Sequence, residues 1–230
     1  MAKKIVILSG PSCVGKGPLR AALKRNHPEI KFAEPVLLHS RAPRRKKANG
    51  EFEVHGVDYY FLPRGLFDQL DPNRFLVVKI RTEYQAIDLV QLKYLLEEHD
   101  LVLVEAYTTL AEKLINWTRK KSGVDIVLRN IFLTPLSDEE INELSLKQKV
   151  SPEELIYRVM KEKLLHRGED PPEKIEARAR WAFWEIQQAR DYTDIIVNHA
   201  GEDDITQWSD PLGSEAQRVL DQFVKIIKSE

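Results

Sequence analysis

Residues 5–16 read IVILSGPSCVGK, an apolar run that leads into a loop bounded by two glycines and closed by a lysine. The apolar run is typical of a buried β-strand, and a helical pattern follows over residues 16–25. Glycines let the backbone N–H groups of such a loop turn inward around a phosphate, and the helix N-terminus adds the positive end of its dipole. The context therefore predicts a nucleotide phosphate site in which Lys16 bridges the β- and γ-phosphate oxygens. The loop residues predicted to bind the triphosphate are Gly10, Pro11, Ser12, Cys13, Val14, Gly15, Lys16 and Gly17.

Three residues of this loop allow more than one interpretation. The same pattern fits a glycine turn that opens a helix and leaves Lys16 in solvent. Cys13 is either a space-filling side chain or a reactive thiol whose pKa is lowered by the helix N-terminus. Gly17 stands where such loops usually have Ser or Thr, whose hydroxyl is a Mg²⁺ ligand, so the metal would need water or another side chain there. We expect Mg²⁺ to be bound with the nucleotide and predict no separate metal site.

The composition excludes several classes of protein. The chain carries 35 basic and 36 acidic residues and a net charge of -1, which argues against binding nucleic acid or an anionic membrane over the whole surface. A single cysteine excludes a disulfide framework and a multi-thiolate zinc site. The apolar runs are too short for a membrane span or a signal-peptide core. We expect a cytoplasmic protein that binds neither nucleic acid nor membranes, as a monomer or a homodimer.

Apolar strand patterns alternate with helical patterns along the chain. Strands are predicted over residues 5–8, 101–104, 126–133 and 195–197, and helices over residues 16–25, 84–97 and 109–120. This alternation predicts an α/β fold with a mostly parallel sheet. Residues 32–80 break the rhythm and are predicted to form an inserted lobe. Residues 137–190 are almost continuously helical in character, and Asp170 is predicted to be the N-cap of a helix with proline in its first turn.

Two stretches of the inserted lobe resemble the guanylate kinase family. That family has T-R-x-P-R followed by E-x-x-G-x-D-Y-x-F, and this chain has SRAPR at residues 40–44 and EVHGVDYYF at residues 53–61. Two arginines that flank a proline can present forked donors to a phosphate dianion. By itself, the basic cluster over residues 41–47 also fits a solvated loop or a nucleic-acid patch.

The resemblance implies roles for individual residues of the lobe. A carboxylate can accept hydrogen bonds from guanine N1–H and its 2-amino group, so Glu53 is expected to bind the base. The remaining expected contacts to GMP are Ser40, Arg41, Arg44, Tyr59 and Tyr84, with the two arginines and Tyr59 on the phosphate. The chain departs from the family in having Leu37 in place of a serine and no acidic residue at positions 77–80.

The resemblance extends to a strand-end acid and to a lid. Glu105 follows the apolar run at 101–104 and is expected to contact the acceptor or a metal-bound water, although an ordinary strand-end acid is the alternative. Arg167, followed by glycine, and Arg178 have the spacing of the family's two lid arginines, which stabilise charge on the transferred phosphoryl group. Together with Lys16 they are the predicted catalytic residues.

The resemblance implies a P-loop kinase core with a mostly parallel sheet, an inserted acceptor-binding lobe and a helical lid. We expect one domain over residues 1–230, with the core at 1–31 and 82–230, the lobe at about 32–81 and the lid at about 163–185. The implied reaction converts ATP and GMP into ADP and GDP with Mg²⁺. Two alternatives stay open: a kinase for another small phosphate such as ribose 1,5-bisphosphate, and a guanylate-kinase-like binding module without turnover.

Overall fold

The predicted strands and helices are present in the computed structural model, which describes residues 3–45, 50–120 and 126–229. Residues 46 and 47 of the predicted basic cluster lie outside the described residues. The strands are β1 (Lys3–Ser9), β2 (Leu38–His39), β3 (Tyr60–Phe61), β4 (Phe75–Ile80), β5 (Glu83–Asp88), β6 (Leu101–Glu105), β7 (Ile126–Thr134) and β8 (Asp194–Val197). The helices are α1 (Lys16–Asn26), α2 (Leu89–Glu98), α3 (Thr108–Lys120), α4 (Asp138–Gln148), α5 (Pro152–Arg167), α6 (Pro172–Gln187), α7 (Ile205–Trp208) and α8 (Ser214–Lys228).

The strands form two sheets of four strands each. The first has the order β6-β1-β7-β8, and its β7 and β8 run parallel with Ile131 opposite Asp194. All four residues of the apolar run at 5–8 are fully buried in β1, as expected for a strand covered on both faces. The predicted α/β fold is therefore confirmed.

The chain divides into two compact units, which are described separately. Unit 1 comprises Met1–Ile7 and Lys31–Leu128, and unit 2 comprises Leu8–Ile30 and Arg129–Glu230. The second sheet lies wholly in unit 1 and has the order β3-β2-β5-β4. The proposed division into core, lobe and lid within one domain stays a prediction.

The second sheet includes a strand where the sequence predicts the start of a helix. Residues 84–88 belong to β5, which pairs antiparallel with β4 along its full length, and α2 begins only at Leu89. Asp88 ends the strand and caps the helix, because its side chain accepts a hydrogen bond from the backbone N–H of Val90 at 2.9 Å. The helical spacing of apolar residues in this segment therefore begins earlier in the sequence than the helix does.

The helical segment of unit 2 consists of three helices around one apolar cluster. Helices α4 and α5 are capped by Ser137 and Ser151, whose hydroxyls accept hydrogen bonds from the backbone N–H of the third residue of each helix. The third helix differs from the prediction, because Pro171 is its N-cap residue and Asp170 is not. The carboxylate of Asp170 instead binds two arginines, as described below. No helix among the described residues is long and apolar enough to cross a membrane.

Candidate functional site

In unit 2, the glycine-rich loop between β1 and α1 requires glycine at two positions. Gly10 has a φ of +143°, and a Cβ built there would lie 2.3 Å from the carbonyl oxygen of Leu133. Gly15 has a φ of +101°, and its Cβ would lie 2.3 Å from Nδ2 of Asn198. Both positions combine an unfavourable φ with a close approach, so any larger residue would distort the loop.

The lysine of the loop is buried against the loop and does not extend into solvent. The side-chain Nζ of Lys16 donates hydrogen bonds to the carbonyl oxygens of Gly10 at 2.9 Å and of Pro11 at 2.8 Å. Lys16 is only 8% exposed. The ammonium group is therefore held at the loop, where a phosphate would replace carbonyl oxygens as its partner.

Two residues that the sequence analysis did not single out hold the loop in place. Asn198 follows β8, and its Nδ2 donates a hydrogen bond of 2.7 Å to the carbonyl oxygen of Val14. The backbone N–H of Glu202 donates to the carbonyl oxygen of Cys13 at 3.0 Å. The position of Asn198 at the carboxyl end of a predicted parallel strand is a signal that could have identified it, because ligands of such sheets bind at that edge.

The thiol of Cys13 is a space-filling group. Cys13 is 1% exposed and belongs to the apolar cluster of the helical segment. Burial, together with the negative charge of Glu202, raises the pKa of the thiol to about 12. The thiol is therefore protonated near neutral pH, and the alternative of a reactive thiolate is not supported by its environment.

The position after the lysine has room for a larger side chain. Apart from the adjacent residues and the backbone of its own helix, no described atom lies within 4 Å of a Cβ built on Gly17, and its φ is outside the left-handed region. Within the described ranges, no group of three or more His, Cys, Asp or Glu side chains could hold a metal ion. The open space at Gly17 leaves room for the water ligands of a Mg²⁺ ion held by nucleotide phosphates, which is how this ion is usually bound.

The two predicted lid arginines meet on one carboxylate. Nη1 of Arg178 donates to Oδ2 of Asp170 at 3.0 Å, and Nη2 of Arg167 donates to the same oxygen. Nη1 of Arg167 also donates to Oε2 of Glu202 at 2.8 Å. Burial alone would lower the pKa of Arg167, but the charges of its acidic neighbours outweigh it and raise that pKa. Through Glu202, the lid arginine is connected to the phosphate loop within the same unit.

In unit 1, the first arginine of the lobe motif is bound to the glutamate of that motif. Both terminal nitrogens of Arg41 donate to the carboxylate of Glu53, Nη2 to Oε1 at 2.7 Å and Nη1 to Oε2. The backbone N–H of Arg44 donates to Oε2 at 2.8 Å. Burial raises the pKa of Glu53, but these hydrogen bonds outweigh it and hold the pKa below its usual value. The carboxylate is therefore ionised, and both of its oxygens are already engaged; its expected contact with the base stays a prediction.

Aromatic rings and a histidine surround Arg41. Its Cζ lies 4.9 Å from the ring centre of Tyr59 and 5.4 Å from that of Phe61. Tyr59 contacts His39 edge to face with ring centres 5.5 Å apart, and Nδ1 of His39 accepts the backbone N–H of Arg41 at 3.1 Å. Asp58, next to Tyr59, accepts a hydrogen bond of 2.8 Å from the backbone N–H of Val54. This hydrogen bond closes the turn that precedes Tyr59.

Ser40 and Tyr84 bind each other. The backbone N–H of Tyr84 donates to Oγ of Ser40 at 2.6 Å, and the ring of Tyr84 stacks on Phe67 with centres 5.5 Å apart. Opposite residues of paired strands share one face of the sheet, so His39 and Gln85 lie on one face while Tyr84 lies on the other. The described contacts thus bring together Arg41, Glu53 and Tyr59, but place Tyr84 in the apolar cluster under the sheet.

Glu105 is the last residue of β6. Two residues later, the backbone N–H of Tyr107 donates to Oε1 of Gln85 at 3.1 Å. This hydrogen bond joins the end of β6 to the face of the lobe sheet that carries His39. The position of Glu105 is that of an acid at the carboxyl end of a strand, as the sequence predicts.

Comparisons with known proteins identify full-length relatives. No family model matches the chain. The chain is 29% identical to the guanylate kinase of Lactobacillus acidophilus, over 98% of this chain and 97% of that protein. It is 28% identical to guanylate kinases of Thermus thermophilus, over 95% of this chain and 84% of that protein, and of Trichormus variabilis, over 85% and 82%. A crystal structure of guanylate kinase from Anaplasma phagocytophilum covers 99% of this chain and 85% of that chain, with a TM-score of 0.58 and 19% identity, a similarity that shows the fold.

Proposed function

We propose that this chain, which is 28% to 29% identical to guanylate kinases over most of its length, belongs to their family and transfers the γ-phosphoryl group of ATP to GMP, which yields ADP and GDP. One observation supports this proposal above all: two cationic side chains of unit 2 are connected to the phosphate loop. Lys16 binds the loop directly, and Arg167 is linked to the loop through Glu202. Cations placed at a phosphate loop are the main requirement of phosphoryl transfer, because this reaction depends on positioning and charge stabilisation.

The proposed roles in unit 2 follow from the chemistry of the transferred group. Backbone N–H groups of the loop bind the phosphates, and the ammonium of Lys16 exchanges its carbonyl partners for β- and γ-phosphate oxygens. Arg167 and Arg178 stabilise the negative charge that spreads over the equatorial oxygens during transfer. Mg²⁺ bound by the nucleotide would reduce the charge on these phosphates, with Gly17 leaving room for its water ligands and contributing no ligand of its own.

The proposed roles in unit 1 concern the acceptor. Arg44 and Tyr59 bind the phosphate of GMP together with Arg41, whose guanidinium is fixed by Glu53 and by the surrounding rings. Three further residues stay proposed contacts of the acceptor. Ser40 and Tyr84 belong to the lobe, and Glu105 lies at the end of β6. A protein nucleophile is not required, because the acceptor phosphate oxygen attacks the γ-phosphorus directly.

A coupled assay of ADP release tests the proposal. ATP and Mg²⁺ are supplied with GMP, dGMP, AMP, UMP or CMP, and we expect turnover with the guanine nucleotides. Lys16→Met is expected to lower kcat by about 100- to 1,000-fold, the cost of removing one donor from a charge-stabilising site.

The matched control is Lys24→Met, which changes an exposed lysine on the same helix and is expected to leave kcat unchanged. The absence of ADP release with every acceptor, while ATP binding is measurable by calorimetry, would overturn the assignment as an enzyme. Turnover with AMP or a pyrimidine nucleotide in preference to GMP would overturn the choice of acceptor.

A further inference from the structure

We propose that Asp170 is a positioning residue that holds Arg167 and Arg178 together as a pair in the lid. The proposal rests on the proposed function, because it assigns Asp170 a role in orienting the two arginines toward the phosphoryl group. Asp170 was predicted from the sequence to cap a helix, and the structure gives its carboxylate a different set of partners.

The geometry places one oxygen between two guanidinium groups. Oδ2 of Asp170 accepts a hydrogen bond of 3.0 Å from Nη1 of Arg178 and a second one from Nη2 of Arg167. Arg167 is the last residue of α5, and Arg178 lies in α6. The side chain of Asp170 is 2% exposed, so solvent does not compete for this contact.

The link between the two helices delivers the carboxylate to this position. Gly168 adopts a left-handed φ of 68° and ends α5, with its N–H bound to the carbonyl of Leu164 at 3.2 Å. The chain then reverses, and Pro171 is the N-cap residue of α6, which has no side-chain cap. Asp170 therefore does not cap the helix, and its carboxylate accepts a hydrogen bond from Arg167, three residues earlier.

Electrostatics explains why a carboxylate is needed there. Two buried guanidinium groups side by side repel each other strongly, because the interior screens charge poorly. A negative charge between them turns the repulsion into two attractions, each oriented by a hydrogen bond. Both arginines then reach the phosphoryl group from a fixed arrangement, which is what transition-state stabilisation requires.

Two further acids contact Arg167: Oε2 of Glu169 lies 3.4 Å from its Nε, and Glu202 binds its Nη1. Glu202 lies on the loop after β8, and its side chain is 20% exposed. The side chain of Arg167 is only 7% exposed, so a phosphate group would reach it by displacing the more exposed Glu202, whereas the enclosed Asp170 stays in place. Asp170 is therefore the fixed partner of the arginines and Glu202 the exchangeable one.

Asp170→Asn is the decisive variant, because asparagine keeps the size of the side chain and one acceptor oxygen but removes the charge. We expect kcat to fall by about 100-fold or more, with the KM for GMP changed less than about twofold, when rates are corrected for the folded fraction. Glu173→Gln, an exposed acid in the first turn of α6, is the matched control and is expected to leave kcat unchanged. An unchanged kcat per folded molecule in Asp170→Asn would overturn the proposal.

A double variant separates a positioning role from a purely structural one. If Asp170 acts through the two arginines, then Asp170→Asn added to the double variant Arg167→Lys/Arg178→Lys lowers kcat by less than about threefold beyond that double variant alone. A further decrease as large as that caused by Asp170→Asn in wild type would overturn the proposal. The affinities for ATP and ADP, measured by calorimetry, give a readout that does not depend on turnover. We expect Asp170→Asn to weaken ATP binding about tenfold and ADP binding less than about twofold, whereas equal weakening of both would overturn the proposal even if wild type proved inactive toward GMP.

Discussion

Glu53→Gln tests how the lobe binds its acceptor. In wild type the carboxylate accepts hydrogen bonds from both terminal nitrogens of Arg41 and from the backbone N–H of Arg44. Glutamine keeps one acceptor oxygen but turns an NH₂ group toward a donor and removes the negative charge. The variant therefore loosens the arginine clamp without removing any group that would touch the phosphate.

The expected size of the effect follows from the burial of the pair. The side chains of Arg41 and Glu53 are 4% and 14% exposed, so water replaces the lost partner only in part. A hydrogen bond between charged groups contributes about 1.5–3 kcal/mol, and we expect one such bond to be lost. A loss of about 2 kcal/mol corresponds to roughly a 30-fold decrease in kcat/KM.

The assay compares GMP with IMP, which lacks the 2-amino group of guanine. If Glu53 orders the clamp, then kcat/KM decreases by the same factor for both acceptors, because both carry the same phosphate. A decrease confined to GMP would refute this reasoning and would show that Glu53 reads the base. Glu51→Gln, an exposed acid two residues earlier, is the control and should change neither value.

Three further predictions concern the loop and the folded state of unit 2. Gly17→Ser should lower the Mg²⁺ concentration needed for half-maximal activity, because the site has room for a hydroxyl ligand. Gly65→Ser is the control, since position 65 also has room for a side chain. An unchanged metal dependence in Gly17→Ser would contradict this account. Cys13 should react with iodoacetamide at about pH 8 only after unfolding, since burial raises its pKa to about 12; rapid labelling of folded protein would contradict it. Hydrogen bonds from Arg218 outweigh the opposing effect of burial and lower the pKa of Glu215 from 4.5 to about 2. The ionised carboxylate therefore contributes stability above about pH 4.5, and this contribution is lost as the pH falls toward about 2. In urea unfolding, Glu215→Gln should cost on the order of 1 kcal/mol at neutral pH after solvent screening and nothing near pH 2, and an equal cost at both pH values would contradict this reasoning.

Features fixed by local sequence could be predicted, and those fixed by tertiary contacts could not. The strand, loop and helix around Lys16 are specified within about twenty residues, since apolar run, glycines and helix pattern are contiguous. The sequence predicts too early a start for α2, because the spacing of apolar residues around positions 84–88 also fits a helix. These residues form a strand because β5 pairs with β4, and the sequence of residues 84–88 alone does not indicate that pairing.

The candidate site shows the same division. The spacing of Arg167 and Arg178 is visible in the sequence, but the sequence predicts that Asp170 caps a helix, because Asp before proline fits that pattern. Burial next to two guanidinium groups outweighed capping in the folded chain. Likewise, nothing in the sequence around Glu53 indicates that Arg41 would occupy its oxygens, since this contact depends on how residues 40–44 and 53 approach each other.

The two hydrogen bonds of Lys16 to its own loop make nucleotide binding an exchange of partners. A ligand gains the ammonium group only by releasing it from two carbonyl oxygens, and it gains the accessible side of Arg167 only by displacing Glu202. A phosphate ion bound at one of these two cations replaces only part of the released contacts, whereas a polyphosphate has linked phosphates that can engage both cations as one molecule. We therefore expect the loop to favour ligands with several linked phosphates over a single phosphate ion.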